Sequence, residues 1–424
     1  MGMAEKWMTD STAEGVFSRI AGEEGAGQPG PSEGRNGLRH IAALSMTKVA
    51  DGLIDPKLVL AWLLTALGAP AVFAGALVPI REAGALLPQM PLAALLQRMA
   101  RRKWIWVLGS AGQGLAAGMI VLAALSLEGQ AAGLAICAAL ALLAVCRAAC
   151  SVSYKAILGK TVSLSRRGAV TGLAGSVSSV GVLVFAALLI LGPGQSAGLV
   201  IAAIALAALF WGAAALLFTT LEEERSETGG DTIAHFAVLR EDPVLWRFII
   251  TRGLLVSTAL APPYLVVLSG ESTLGRLGAL VLASALASLV SSYVWGRLAD
   301  HSSRRVLMFS GLLGAVAMGA GVALWALGLA GQWMAMPLVL FVLMIAYHGV
   351  RQGRSTYLVD LAPEGRRAAY AAVTNTVIGV LLLGVGVLGG GAALIGPEAT
   401  LTLFAVMAIA AFFTARGLTE AEGL

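Results

Sequence analysis

Charge is what this sequence has least of. Only 12% of its 424 residues are Asp, Glu, Lys or Arg, about half the share of roughly 25% found in soluble domains. Between residues 83 and 221 the only acid is Glu128. Cysteine is scarce as well. Cys137, Cys146 and Cys150 share one apolar segment with no histidine nearby, so the spacing supports neither a disulfide framework nor a metal site, and packing is their expected role. A Gly-x-x-x-x-Gly-Lys-Ser/Thr loop and a His-Glu-x-x-His pair are both missing. Their absence argues against an ATP-driven pump and a zinc peptidase.

What the chain has in abundance is apolar length. Residues of hydrophobic type make up 58%, more than a single soluble core can hide. Twelve runs are long enough to cross a hydrocarbon layer of roughly 30 Å, which takes about 20 residues of helix. They fall near 57–80, 82–100, 104–127, 131–153, 168–191, 196–218, 245–268, 274–297, 305–329, 333–356, 368–394 and 398–415. Transmembrane β-strands would be half as long and would alternate, and these runs do neither. The expected fold is an all-α membrane protein of twelve spans. Residues 1–40 are polar and Gly/Glu-rich, without the apolar core of a signal peptide, and are expected to form a disordered cytoplasmic tail.

Basic residues lie between the runs on alternate sides. With the N-terminus in the cytoplasm, the inner set runs from Arg98, Arg101, Arg102 and Lys103 to Arg354, Arg366 and Arg367. The outer set holds only Arg81 and Arg276, giving 17 against 2. That asymmetry is the positive-inside pattern, with both termini cytoplasmic in a bacterial inner (plasma) membrane. Trp104, Trp106, Trp246 and Trp333 fall near span ends, as an interfacial belt requires.

Residues 221–244 interrupt the apolar pattern with Glu222, Glu223, Glu224, Glu227, Asp231, Glu241 and Asp242. This acidic linker would separate six-helix bundles at 41–220 and 245–416, with a short tail at 417–424. The halves carry a weak internal repeat. Arg101-Arg102 recurs as Arg304-Arg305 and Ser153-Tyr154 as Thr356-Tyr357, each 203 positions later, and Arg166-Arg167 recurs as Arg366-Arg367 after 200. Both halves begin on the same side, so the repeat is parallel.

Before the ninth run the chain reads Gly296-Arg297-Leu298-Ala299-Asp300-His301-Ser302-Ser303-Arg304-Arg305. This resembles the major facilitator superfamily signature Gly-x-Leu-Ala-Asp-Arg-x-Gly-Arg-Arg. The resemblance implies two rocking bundles around a midplane cavity, and a conformational switch built on Gly296, Asp300, Arg304 and Arg305. Its first-half counterpart, residues 97–103, keeps the bases but lacks the acid and the glycines. The superfamily's fifth-helix antiporter motif is absent as well. The implied function is secondary transport of a small solute by alternating access, with no cofactor, no metal and no nucleic acid, by a monomer. A non-transporting receptor or scaffold on the same fold is the alternative, and a membrane-embedded enzyme is a more distant one.

Ionisable groups inside spans mark solute paths. By these spans no acid sits mid-membrane. Arg81 and Glu82 form an outer-gate candidate pair at the first hairpin, and Asp51, Asp55 and Lys57 flank the inner start of the first span, where Asp55-Pro56 reads as a helix start. Arg147, Arg252 and Arg351 reach deeper. The superfamily lines its cavity with spans one, four, seven and ten, which makes these arginines cavity candidates for an anionic or zwitterionic solute. His348 joins them as a possible proton relay, so proton coupling stays open. Pro70, Pro79, Pro88, Pro91, Pro262 and Pro263 are expected to bend spans one, two and seven.

Overall fold

The computed structural model describes residues 10–22, 32–191, 197–225, 242–269, 274–299, 301–362 and 367–419, apart from the side chains of 10, 11, 292, 293, 296 and 367–369. Among these residues the secondary structure is helical throughout. The elements are α1 (Asp10–Ala21), α2 (Glu33–Leu53), α3 (Val59–Ala66), α4 (Ala71–Leu86), α5 (Gln89–Gln97), α6 (Lys103–Ser126), α7 (Gly129–Thr161) and α8 (Leu164–Leu191). They continue with α9 (Gly198–Thr219), α10 (Pro243–Leu260), α11 (Pro262–Leu268), α12 (Leu274–Ala299), α13 (Ser303–Ala326), α14 (Ala335–Leu361), α15 (Arg367–Ala393) and α16 (Pro397–Arg416).

Among the described residues eleven spans, counting α4–α5 and α10–α11 as one each, are long and apolar enough to cross a membrane. The twelfth crossing is α2–α3, too polar in its first part to register. Its ends show that it crosses. Arg35 and Arg39 pair with Glu222 beyond α9, while the carbonyl of Leu67 accepts from Gly129 at the start of α7. We call the end holding 98–103, 162–163 and 221–225 the basic face, and the other the opposite face.

The first two spans therefore differ from the expectation at 57–80 and 82–100. The first crossing begins at residue 33, not 57, and the hairpin falls at 67–70. There Gly68 takes φ +70°, a conformation that suits glycine, and Pro70 starts α4. The apolar window slid past this turn because Leu67 and Ala69 beside it are themselves apolar. Asp55-Pro56 does start a helix, α3, but inside the bundle. Pro56 cannot continue the ladder of α2, and Asp55 accepts from the Lys57 backbone N–H at 2.6 Å. In the second half, Pro262 and Pro263 divide α10 from α11, so both halves open on an interrupted helix.

The first 40 residues also differ from the expected disordered tail. Besides the first turns of α2 they contain α1, whose Phe17 is fully buried against Leu158, Val162 and Val170. Arg166, only 1% exposed, donates to Glu14 at 2.7 Å and lies 3.5 Å from Glu33.

Helices pack closely where small residues meet. A Cβ on Gly109 of α6 would lie 2.7 Å from the Cys146 carbonyl and 2.8 Å from the Cys150 sulfur, both on α7. The three cysteines are free thiols. The halves touch mainly along α4 with α15 and α8 with α12. We expect Gly109→Leu to overpack the α6–α7 seam and cost about 1–3 kcal/mol, read as a lower unfolding temperature in detergent.

Candidate functional site

The break between α2 and α3 places charge where a continuous apolar helix would carry none. Asp51, one turn before the break, accepts from Arg81 of α4 at 2.8 Å and forms a second, short ion pair with Arg147 of α7. Arg81 is buried and Arg147 is part exposed. Lys57, buried just after the break, sits 3.7 Å from the ring centre of Tyr347 on α14, a cation–π contact between the halves. Glu82 interacts electrostatically with Lys57, Arg354, Arg81 and Arg147.

These positions correct two expectations. Arg81 and Glu82 are not an outer gate: they lie in the middle of the second span. Asp51, Asp55 and Glu82 are carboxylates inside the bundle, where none was expected. Both errors have one cause, the displaced first hairpin.

A cavity of about 320 Å³ lies between the halves, lined by Lys48, Asp51, Asp55 and Lys57 from the first half and Tyr347, His348 and Arg351 from the second. Ser178 and Ser179 of α8 and Ser284 and Ser288 of α12 complete its walls. Ser288, His348 and Arg351 also line a second cavity of about 490 Å³ that adds Gln352, Arg354 and Ser355, toward the basic-face end of α14. A recess of about 250 Å³ in the first half joins through Lys48 and Asp51 and is lined by Arg147, Ser151 and Lys155. Toward the opposite face the halves close. A Cβ on Gly278 would lie 2.6 Å from Ile190 and 2.9 Å from Leu189, and Tyr264 of α11 packs directly on Gly75 of α4. The cavity is thus open toward the basic face and shut at the other.

The expected cavity residues converge here with different roles. Arg351 and His348 line the main cavity. Arg147 reaches the cavity through the side recess but is held by Asp51. Arg252 is buried, lines a small pocket with Glu82, Arg351 and Arg354, and donates to Asn375 of α15 at 3.1 Å. Asn375 in turn donates to Gln89 of α5 at 3.4 Å, so Arg252 sits on a polar chain that crosses between the halves. The side chains of Arg351 and Arg354 make no hydrogen bond or ion pair with any described residue. Among the described residues eight bases (Lys48, Lys57, Arg81, Arg147, Lys155, Arg252, Arg351 and Arg354) face three acids (Asp51, Asp55 and Glu82) around this site. Lys48, Lys57 and Tyr347 were missed as cavity residues. A polar face through α2, with Lys48, Asp51 and Asp55 at helical spacing, was the signal that could have found them.

Of the switch motif, Gly296 lies in α12 and Asp300 lies outside the described residues. Ser302 caps α13 by accepting from the Arg305 N–H at 3.1 Å, and Arg305 itself is exposed. Arg304 donates at 3.4 Å to the carbonyls of Arg416 and Leu418 at the end of α16, where a cation meets the negative helix end. In the first half, where the loop lacks its acid, Glu223 supplies one. Its carboxylate accepts from the Arg102 and Lys103 N–H groups at 3.0 and 2.8 Å, capping α6.

A family model of the Major Facilitator Superfamily matches residues 46–384. The chain belongs to that superfamily. Solved structures agree on the fold. A point mutant of the nucleoside transporter NupG is similar with a TM-score of 0.69 at 11% identity, over 91% of this chain and 100% of that one. A D-xylose-proton symporter is similar with a TM-score of 0.66 at 13% identity, over 92% and 99%. No curated protein matches the sequence. The superfamily member described here is a secondary transporter of a small solute.

Removing one member of a buried ion pair strands the other and costs about 3–5 kcal/mol. We therefore expect Asp51→Ala to lower the unfolding temperature sharply, whereas Arg351→Ala, with no partner to strand, leaves it within about 0.5 kcal/mol of wild type. Melting curves of the purified variants in one detergent check the contrast.

Proposed function

We propose that this transporter carries a small anion across the plasma membrane, with the basic face and both termini in the cytoplasm. The observation that carries it is the surplus of bases around the cavity, eight against three acids among the described residues, with no hydrogen bond or ion pair to the side chain of Arg351 or Arg354. In a site shielded from water, unpaired guanidiniums attract a counter-charge strongly, because Coulomb energies grow as the dielectric falls. Arg351 and Lys48 are the groups assigned to the anion. His348 and the serine hydroxyls supply further hydrogen bonds, and Arg147 waits on Asp51. Arg252 positions Asn375 and the α5–α15 contact. Transport, not catalysis, is the role assigned to these groups.

Mid-span carboxylates also favour a place for a proton. Asp51 is the group where protonation would change most, because it would release Arg81 and Arg147 together.

Purified protein in liposomes, offered labelled phosphate, acetate, succinate, glutamate, a nucleoside and a pentose, tests the assignment. One or more anions should accumulate, and Arg351→Gln should cut that uptake tenfold or more while the protein inserts normally. Uptake of the neutral solutes alone, or uptake of an anion unchanged in Arg351→Gln, would refute it. Repeating the assay with a pH gradient, in wild type and Asp51→Asn, shows whether a proton moves through Asp51.

A further inference from the structure

Lys48 belongs to the first half and Arg351 to the second, and both line the cavity on the side that opens to the basic face. The two cations repel each other electrostatically. Lys48 has one polar contact, donating to the Thr171 carbonyl at 3.1 Å, which carries no formal charge. Arg351 has no hydrogen-bond or ion-pair partner among the described residues.

The nearby acids are mostly engaged elsewhere, and only Asp51 attracts Lys48 in part. Asp51 is already shared between Arg81 and Arg147, one on each carboxylate oxygen. Asp55 turns back on its own backbone, accepting from Lys57. Glu82 faces Lys57, Arg354, Arg81 and Arg147. Lys57 lies over Tyr347, and His348 brings no negative charge.

Alternating access requires the open side to close. Closure moves the basic-face ends of the halves together, and with them Lys48 toward Arg351. Without a negative charge between them, that approach meets rising repulsion as water leaves and screening falls. With an anion bound between them, the same approach is attractive.

We propose that Lys48 and Arg351 form a like-charge lock that holds the empty carrier open toward the basic face, so that the transporter works by obligatory exchange of one anion for another. This rests on the anionic substrate proposed above. The cargo is then both substrate and the missing counter-ion. A loaded carrier crosses in either direction, and an empty one returns slowly.

The lock can be read without knowing the cargo. The three native cysteines are replaced by alanine, and spin labels are placed at the exposed positions Ser165 on α8 and Asp360 on α14. The full chain is then measured in lipid nanodiscs without added organic anion. We expect a single long distance. Lys48→Glu, which gives Arg351 a partner from the other half, should add a shorter population holding at least half of the molecules. Arg351→Glu should do the same from the other side and serves if the first variant fails to fold. An empty wild type already divided between both distances, or charge reversals that leave the distribution unchanged, would overturn the lock.

In liposomes, entry of any transported anion into vesicles preloaded with it should exceed entry into empty vesicles at least tenfold. Equal rates, or net uptake driven by a pH gradient into empty vesicles, would overturn exchange while leaving anion transport standing. Transport of only neutral solutes would remove the anionic cargo instead, and the spin-label distances would still decide the lock.

Discussion

A carboxylate held between two guanidiniums, inside a protein that sits in oil, is the contact on which the rest of this architecture depends. Asp51 joins three helices of the first half through Arg81 and Arg147. Each of these charges alone would be costly at that depth. Together they are tolerated, and they fix the facing of α2, α4 and α7 more firmly than apolar side chains could. Lipid supplies no hydrophobic driving force to bring helices together, so packing and polar contacts must do it. The apolar interior is correspondingly small in grain, with glycine against carbonyl and cysteine along α6 and α7.

Charge then divides into two populations. Arg81, Arg147 and Arg166 are bound to carboxylates and hold helices in place. Arg351 and Arg354 make no hydrogen bond or ion pair with a described residue, Arg354 feeling only the charge of Glu82, and both line open space. A sequence shows only that all of these are arginines. What separates scaffold from cargo site is whether an acid from another helix arrives beside them, and that depends on which faces of distant spans meet.

The helical membrane fold was legible because length and apolarity leave one solution when water is absent. Ten of the twelve spans lie close to their expected positions, and the resemblance carried by residues 296–305 points to the right superfamily. The first hairpin was not legible in the same way. Lys48, Asp51 and Asp55 dilute the apolar signal of α2 because they belong to the cavity, so the site itself hid the helix that carries it. Arg81 and Glu82 were displaced to the membrane edge by the same slip. Arg147, Arg351 and His348 escaped it because α7 and α14 each keep an apolar stretch long enough to cross. The pairing of Arg147 with Asp51 could not be read, since 96 positions of chain separate them.

Arg166 also has a mechanical consequence. One guanidinium is tied to Glu14 of α1 and Glu33 at the start of α2, while its own backbone belongs to α8. Phe17 presses on α7 from the same spot. Four helix ends are thus pinned at a single point, which keeps them from splaying as the first half tilts. Deformation is left to weaker joints, and the chain offers two: the gap between α2 and α3 at 54–58, and the proline pair between α10 and α11. The first of these lines the solute chamber through Asp55, Lys57 and Leu58, so flexing there is felt where the cargo sits.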